Sequence, residues 1–174
     1  MKNKAFLLIL FVGLIVIGSC DKLLTFNISD QTTITVDKVL TPVTLPFDIR
    51  TPNITTNSEQ EFENNDTKIE LVKEIILKDL SLTITSPTDK TFSFLKSIHI
   101  YMYTDTEEEI EIAWKDNISS DAELIDMQTS NSALDKYVKS SSYKLRTEVV
   151  TRETLNQDID ILIDMTFQVT ADPF

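Results

Sequence analysis

Apolar and polar residues alternate with a period of two along most of the chain after residue 20, a pattern typical of half-buried β-strands. The clearest segment is 159–169, where Ile, Met, Phe and Val fall on one face and Asp, Thr and Gln on the other, with Leu162 as the exception. The same alternation predicts strands over 43–50, 80–85, 98–103, 110–114 and 143–149, and less clearly over 24–28, 32–36, 69–77 and 122–127. Because proline cannot donate to a strand ladder, Pro46 predicts that its strand lies at a sheet edge.

The number and spacing of these segments predict the fold class. About seven to nine strands separated by turn residues suit an all-β, two-sheet antiparallel sandwich that is immunoglobulin-like in the broad sense. One short helix is predicted near residue 132, where Ser132 and Asp135 form a capping pair beside apolar residues at helical spacing. We expect this helix to bridge two strands across an end of the sandwich. A second short turn is expected to begin at Ser58 and to bury Phe62.

One part of the chain resembles a known type of sandwich. The stretch from Val72 to Tyr103 contains the alternating run Leu80-Ser81-Leu82-Thr83-Ile84, followed by Pro87, Phe94 and Ile98. It is similar to the core hairpin of small sandwich domains such as the water-stress LEA proteins. The resemblance implies a fold and carries no function.

The first twenty residues have the parts of a secretory signal. Lys2 and Lys4 form a basic start, residues 5–17 are apolar, and small residues follow before a cleavage point. The apolar run is too short to cross a bilayer, which needs about 20 apolar residues. The sequence Ile17-Gly18-Ser19-Cys20 resembles the lipobox of bacterial lipoproteins. That resemblance implies removal of residues 1–19 and a diacylglycerol on the thiol of Cys20.

This interpretation predicts both the organisation and the location of the chain. Residues 1–19 form a signal peptide, and residues 20–174 form a single β-sandwich domain. The lipid on Cys20 would contact the membrane and hold the domain at the bacterial cell envelope, outside the cytoplasm. An uncleaved N-terminal anchor and ordinary secretion are the alternatives for the leader. The cysteine itself could also be a small buried hydrophobe or a reactive thiol.

Charge and cysteine content narrow the set of partners. The chain has 16 Lys and Arg against 28 Asp and Glu, a net charge of −12, and loss of Lys2 and Lys4 makes it more negative. Such a charge repels nucleic acid, so we expect no nucleic-acid partner. Cys20 is the only cysteine, so no disulfide is expected in the mature chain.

Glycine content narrows the enzyme classes. Both glycines, Gly13 and Gly18, lie in the predicted signal. Phosphate-binding loops, dinucleotide fingerprints and the nucleophile elbow of hydrolases need glycine where the backbone turns sharply, so these classes are disfavoured. Turns with positive φ must then use Asn or Asp, and the segments 64–66 and 116–117 are the expected places.

Catalytic and metal-binding candidates are few. His99 is the only histidine, and we interpret it as a structural strand residue; no catalytic residue, metal or cofactor is predicted. Asp105 and the run Glu107-Glu108-Glu109 could hold calcium through oxygen ligands, but the run is better explained as a solvated hairpin tip. A second acidic set, at the C-terminal strand, is interpreted as a solvated strand face: Asp158, Asp160 and Asp164.

The best-ranked recognition feature is the row His99, Tyr101 and Tyr103. Tyrosine has an apolar ring and a polar tip, and exposed tyrosines are common where proteins meet partners. An inward orientation of this row would expose Ile98, Ile100 and Met102. A further alternative is that both faces are covered, the second by the Ser132 helix, so that the row only packs.

Taken together, these features predict a lipid-anchored envelope lipoprotein that acts as a non-catalytic binding or structural module. Its partner, a protein or a glycan, is not defined by the sequence. Two alternatives stay open: a glycan hydrolase that uses paired carboxylates, and an adhesion module stabilised by calcium.

Overall fold

A computed structural model describes residues 23–38 and 46–173. The predicted signal peptide and Cys20 lie outside these residues, as do Val43 and Leu45 of the predicted edge strand. The described residues form ten strands: β1 (Leu24–Val36), β2 (Phe47–Arg50), β3 (Ile54–Thr55), β4 (Val72–Ser86), β5 (Leu95–Tyr103), β6 (Ile110–Lys115), β7 (Leu124–Asp126), β8 (Gln128–Thr129), β9 (Ser142–Thr151) and β10 (Ile159–Ala171). They also form two α-helices, α1 (Ser58–Asn64) and α2 (Asp135–Val138), and two 3₁₀ turns, Ile69–Leu71 and Phe92–Phe94.

The strands form two antiparallel sheets that pack face to face. The first sheet has the order β1-β10-β4-β7, and the second has the order β2-β9-β5-β6-β8, with β3 paired to β9. This arrangement confirms the predicted all-β, two-sheet antiparallel sandwich. β2 lies at the edge of the second sheet directly after Pro46, as the missing proline donor predicts.

The core lies between the sheets and is built by the alternation read from the sequence. Residues of β10 alternate between buried and half-buried along the whole strand, and Leu162 lies on the half-buried side. The buried side chains of β10 are Ile159, Ile161, Ile163, Met165, Phe167, Val169 and Ala171. Each large apolar side chain removed from water contributes about 1.5–3 kcal/mol, so this row is a main source of stability.

Three of the weaker strand predictions change in extent. Segments 24–28 and 32–36 form one continuous strand, β1, because all 13 of its residues pair with β10. The segment predicted over 69–77 begins as a 3₁₀ turn at Ile69–Leu71, and the strand starts at Val72.

The short helices agree with the sequence in place but not in capping. α2 packs against β4 of the first sheet and β9 of the second, so it bridges the two sheets as expected. The predicted capping pair of Ser132 and Asp135 is wrong. The helix begins at Asp135 with Leu134 as its N-cap and no side-chain cap bond, because the Ser132 hydroxyl instead accepts a hydrogen bond from Ser130. α1 begins at Ser58 and buries Phe62, as expected of the turn there.

Positive-φ turns use Asn and Asp, as the lack of glycine requires. Asp66 and Asn117 have φ of 56° and 51°, both within the predicted segments, and Asn131 adopts φ of 53° at a place the sequence does not single out. A helix with the length and apolarity needed to cross a bilayer does not occur within the described residues.

Candidate functional site

The row ranked first for recognition faces away from the core. Alternation along β5 buries Ile98, Ile100 and Met102 between the sheets, and it leaves His99, Tyr101 and Tyr103 half-buried on the outer side of the second sheet. The predicted outward orientation of the row is therefore correct. Its role in binding stays a prediction.

The register of the second sheet places charged residues beside each member of the row. On β9, Glu148 lies opposite His99, Arg146 opposite Tyr101, and Lys144 opposite Tyr103. Directly opposed side chains on one face of a sheet are close enough to interact, so each ring has a charged neighbour fixed by the backbone.

An irregularity in β6 sets the neighbour on the other side. Ala113 pairs with Ile100, but Glu111 pairs with Tyr101, so Ile112 is an extra residue in the ladder. The extra residue lets Ile112 and Ala113 both stay buried while Glu111 reaches the outer face. The bulge thus supplies a carboxylate next to Tyr101 and His99.

Arg146 is the centre of the charged network. Its side chain is 11% exposed, and its guanidinium carbon lies 4.0 Å from the centroid of the Tyr101 ring, a cation–π contact. Nε and Nη2 of Arg146 donate to the two carboxylate oxygens of Glu109, both at 2.7 Å. Nη1 donates to Asp48 at 2.8 Å and to Glu148 at 3.3 Å.

These hydrogen bonds shift the pKa values of both partners. The bond to Glu109 raises the pKa of Arg146, and the same bond lowers the pKa of Glu109. Both groups are therefore charged across the physiological range, and the bidentate geometry fixes the plane of the guanidinium over the tyrosine ring.

Tyr103 has two cations of its own. The Arg50 guanidinium lies 5.7 Å from the ring centroid, and its Nη1 donates to the Tyr103 hydroxyl at 3.4 Å. The Lys144 ammonium lies 5.9 Å from the same centroid and donates to Asp105 at 2.6 Å. We call the row of three and the residues bound to it the tyrosine face; its full membership is Asp48, Arg50, His99, Tyr101, Tyr103, Asp105, Glu109, Glu111, Asp116, Lys144, Arg146 and Glu148.

His99 is held between two carboxylates at one end of this face. Its Nδ1 lies 2.6 Å from Glu111 Oε1, and its Nε2 lies 3.6 Å from Asp116 Oδ1. Partial burial lowers the pKa of His99, but the hydrogen bond and negative charge of Glu111, with Asp116, outweigh it and raise the pKa above 6.5. His99 therefore adds a positive charge to the face as the pH falls.

The acidic run beside the row lies in the loop between β5 and β6, as expected of a hairpin tip. Its carboxylates diverge to different cations: Glu107 to Lys136, Glu109 to Arg146, and Asp105 to Lys144. Within the described ranges, no group of three or more His, Cys, Asp or Glu side chains has a geometry suited to a metal ion.

The second acidic set lies on the first sheet. Asp160 accepts a hydrogen bond from Thr35 at 2.8 Å and Asp164 from Gln31 at 2.8 Å, both across the β1–β10 pair. Asp158 accepts from the backbone N–H of Lys38 at 2.8 Å. These contacts join neighbouring segments at the outer side of the sheet.

Two features were missed by reasoning from sequence. Arg146 occupies an ordinary polar position in an alternating strand, and nothing local distinguishes it from any exposed arginine. Asp30 does carry a signal: it falls on the apolar register of β1, in line with Ile28 and Ile34, and its partner is the buried Tyr143. A charged residue at an inward position predicts a buried polar contact.

Comparisons with known proteins add little. No protein-family model matches the chain, and no curated protein matches it. Among solved structures, the chain is similar to the capsid protein of a 60-mer BFDV capsid, with a TM-score of 0.46 and 12% identity over 90% of this chain and 96% of that one. It is also similar to a Desmodium yellow mottle tymovirus structure, with a TM-score of 0.33 and 14% identity over 100% of this chain and 92% of that one. Both TM-scores are low, so these likenesses carry no implication for function.

Proposed function

We propose that the chain is a lipid-anchored, non-catalytic binding module of the bacterial cell envelope, and that it docks a partner protein on the tyrosine face. The observation that carries the binding role is the outward row His99, Tyr101 and Tyr103, held in place by the charged residues of β2, β6 and β9. The lipobox-like sequence ending at Cys20 carries the anchoring role.

The tyrosine face is already ordered before any partner arrives. Arg146 bonds three carboxylates and contacts the Tyr101 ring, so these side chains lose little conformational freedom on binding. Immobilising a long side chain at an interface costs about 0.5–1.5 kcal/mol, and an ordered face avoids much of that cost. Tyrosine and arginine are also the residue types most often found at the energetic centre of interfaces.

Ring occupancy favours a protein over a glycan. A sugar that stacks on an aromatic side chain needs an open ring face. The Tyr101 ring has a guanidinium at 4.0 Å, and the Tyr103 ring has Arg50 and Lys144 beside it. The hydroxyl tips and the charged groups around them are better suited to hydrogen bonds and ion pairs with protein side chains.

Charge indicates which protein surface fits. Carboxylates outnumber the permanent cations on the tyrosine face, and the whole chain has a net charge of −12. A partner that presents Lys and Arg would therefore be attracted at long range and complementary on contact. We infer a partner protein with a basic patch.

Crosslinking in cells tests the binding role. A photoreactive phenylalanine replaces Tyr103 in the full chain, and a second variant carries it at Thr166 on the outer side of the first sheet. The proposal predicts a discrete crosslinked species from position 103, absent from position 166, whose yield falls when Glu111→Lys is added. Equal yields from the two positions, or no effect of Glu111→Lys, would contradict it.

Membrane fractionation tests the anchoring role with the same strains. In cells grown with a fatty-acid analogue, the wild-type chain should become labelled and stay with the membranes. The Cys20→Ser chain should remain unlabelled and appear in the membrane-free fraction. Unchanged labelling or unchanged membrane retention of Cys20→Ser would reject the lipid anchor, whatever the crosslinking result.

A further inference from the structure

A second polar site lies between the sheets, away from the tyrosine face. Even-numbered residues of β1 point toward the core, and Ile28, Ile34 and Val36 of this set are buried. Asp30 belongs to the same inward row, half-buried opposite Met165 of β10. A carboxylate at such a position costs free energy unless its oxygens find donors. Oδ1 of Asp30 accepts a hydrogen bond from the backbone N–H of Gln31 at 2.9 Å.

Tyr143 reaches Asp30 from the opposite sheet. Its side chain is 1% exposed, and its hydroxyl donates to Asp30 Oδ2 at 2.6 Å. Burial, together with the charge of Asp30, raises the pKa of Tyr143, so the phenol keeps its proton. The single phenolic proton is committed to Asp30. The hydrogen-bonding capacity left at this pair is therefore acceptor capacity, on the phenol oxygen and the carboxylate.

The pair lines a small cavity of about 70 Å³. Three apolar residues contribute to its lining, Ile28, Val138 and Phe167. The rest of the lining is polar and includes residues 55–58 and a second acidic residue, Glu61 of α1. Since a water molecule occupies about 30 Å³ in the liquid, the cavity has room for a group of a few heavy atoms.

The cavity adjoins a wider cleft. The cleft has a volume of about 480 Å³ and shares residues 55–58 with the cavity, so the two lie on either side of the same segment. Glu59 and Glu63 lie on its rim, while the one lysine in its lining, Lys139, donates to the carbonyl oxygen of Val72 at 2.9 Å. The approach to the cavity is therefore negative.

We propose that this cavity binds a primary ammonium group at the end of an aliphatic chain. Three ammonium donors match the acceptors of Asp30, Glu61 and the Tyr143 oxygen, and the adjoining methylenes pack on the apolar residues of the lining. An anion would be repelled by the negative charges of Asp30 and Glu61. A hydroxyl group offers one donor and leaves the charge of Asp30 unbalanced. The chemistry is shared by a free alkyl diamine and by a lysine side chain of a protein.

Methyl NMR spectra of the full chain in detergent test the site. Titration with 1,5-diaminopentane should shift the methyl signals of Ile28 and Val138 in a saturable way, and 1,5-pentanediol at the same concentrations should not. A second titration uses Nα-acetyl-lysine amide, which represents a lysine side chain of a protein. Binding of the diamine alone assigns the site to free amines, and binding of the lysine derivative assigns it to a protein side chain.

Variants link the shifts to the residues. Asp30→Asn should weaken diamine binding at least tenfold. Glu61→Gln, at a half-buried position of α1 outside the hydrophobic core, should weaken it several-fold. Asp89→Asn is the matched control, since it removes one negative charge at an exposed turn and should bind as the wild type does. Absence of saturable shifts with both amines, equal shifts with the diol, or wild-type affinity in both Asp30→Asn and Glu61→Gln would overturn the proposal.

Discussion

The guanidinium carbon of Arg146 lies 4.0 Å from the centroid of the Tyr101 ring, directly across the β9–β5 pair. The same arginine is bonded to Glu109, Asp48 and Glu148, which come from the loop before β6, from the edge strand β2 and from β9 itself. One side chain therefore ties three neighbouring strands and the hairpin loop together on the outer side of the sheet. The order of the tyrosine face depends on it.

The first prediction concerns that arginine. Arg146→Lys keeps the charge but cannot hold Glu109 with two parallel hydrogen bonds, so it should lower the free energy of unfolding by about 1–2 kcal/mol. Arg50→Lys is the control, because Arg50 is 56% exposed and its ion pair with Asp48 is long, at 3.7 Å. Its effect should stay within about 0.5 kcal/mol. Urea unfolding measures both, and equal losses in the two variants would show that the bidentate geometry is unimportant.

A second prediction uses the single histidine as a pH probe. Since Glu111 and Asp116 raise the pKa of His99 in the folded chain, the stabilisation it provides is complete below pH 6.5 and is lost as the pH rises through the raised pKa. The stability difference between wild type and His99→Gln should therefore be largest at acidic pH and shrink above neutrality.

NMR titration of the His99 ring protons reports the pKa directly. The midpoint should lie above 6.5 in the wild type and fall in Glu111→Gln, while Asp89→Asn should leave it almost unchanged. A wild-type midpoint at or below 6.5 would contradict the assigned role of the two carboxylates.

The third prediction concerns a buried hydroxyl. Thr147 Oγ1 is buried and has no hydrogen-bond partner within residues 23–38 and 46–173. Thr147→Val keeps the shape and removes the unpaired group, so stability should be unchanged or rise by about 1 kcal/mol.

Thr51 provides the matched comparison for Thr147. It is also buried, but its hydroxyl accepts a hydrogen bond from the backbone N–H of Leu145 at 2.8 Å. Thr51→Val leaves the buried N–H of Leu145 without this acceptor, so it should lower the free energy of unfolding by about 1–3 kcal/mol. The melting temperatures of the two variants should shift in opposite directions, or the fall for Thr51→Val should be clearly larger. A larger fall for Thr147→Val would show that its hydroxyl is not an unpaired group.

The fourth prediction tests the turns built without glycine. Asn117 has φ of 51°, a region that a Cβ disfavours, so Asn117→Ala should destabilise by about 1 kcal/mol. Asn117→Gly should be neutral or stabilising. Asn53→Ala, at an exposed position without positive φ, should change little. Chemical denaturation of the three variants checks the order, and equal stability of Asn117→Ala and Asn117→Gly would argue against backbone strain at this turn.

Most of the sandwich could be predicted from the sequence because its period of two is a local signal. Each apolar residue of β10 except Leu162 alternates with polar or half-buried neighbours that indicate its burial, and Pro46 indicates an edge position because it lacks a backbone donor. The outward direction of Tyr101 and Tyr103 follows from the same alternation. These features depend on residues one or two positions apart.

What could not be predicted depends on pairing between distant segments. Arg146 meets Asp48 across 98 positions in the chain and Glu109 across 37, so no local pattern could reveal the network. The start of α2 at Asp135 rather than at a Ser132 cap goes with the hydrogen bond that the Ser132 hydroxyl accepts from Ser130, which a capping pattern does not anticipate. Asp30 is an intermediate case. The alternation along β1 predicts that its side chain points inward, but no local pattern predicts that its partner is Tyr143.

The proposed lipid on Cys20 would hold the domain at the membrane, and intact-mass measurement of the protein purified from native membranes tests this proposal most directly. We predict a chain that begins at Cys20 and carries the added mass of a diacylglycerol, with or without a further acyl group. A full-length chain that retains residues 1–19 and a free thiol would contradict the account.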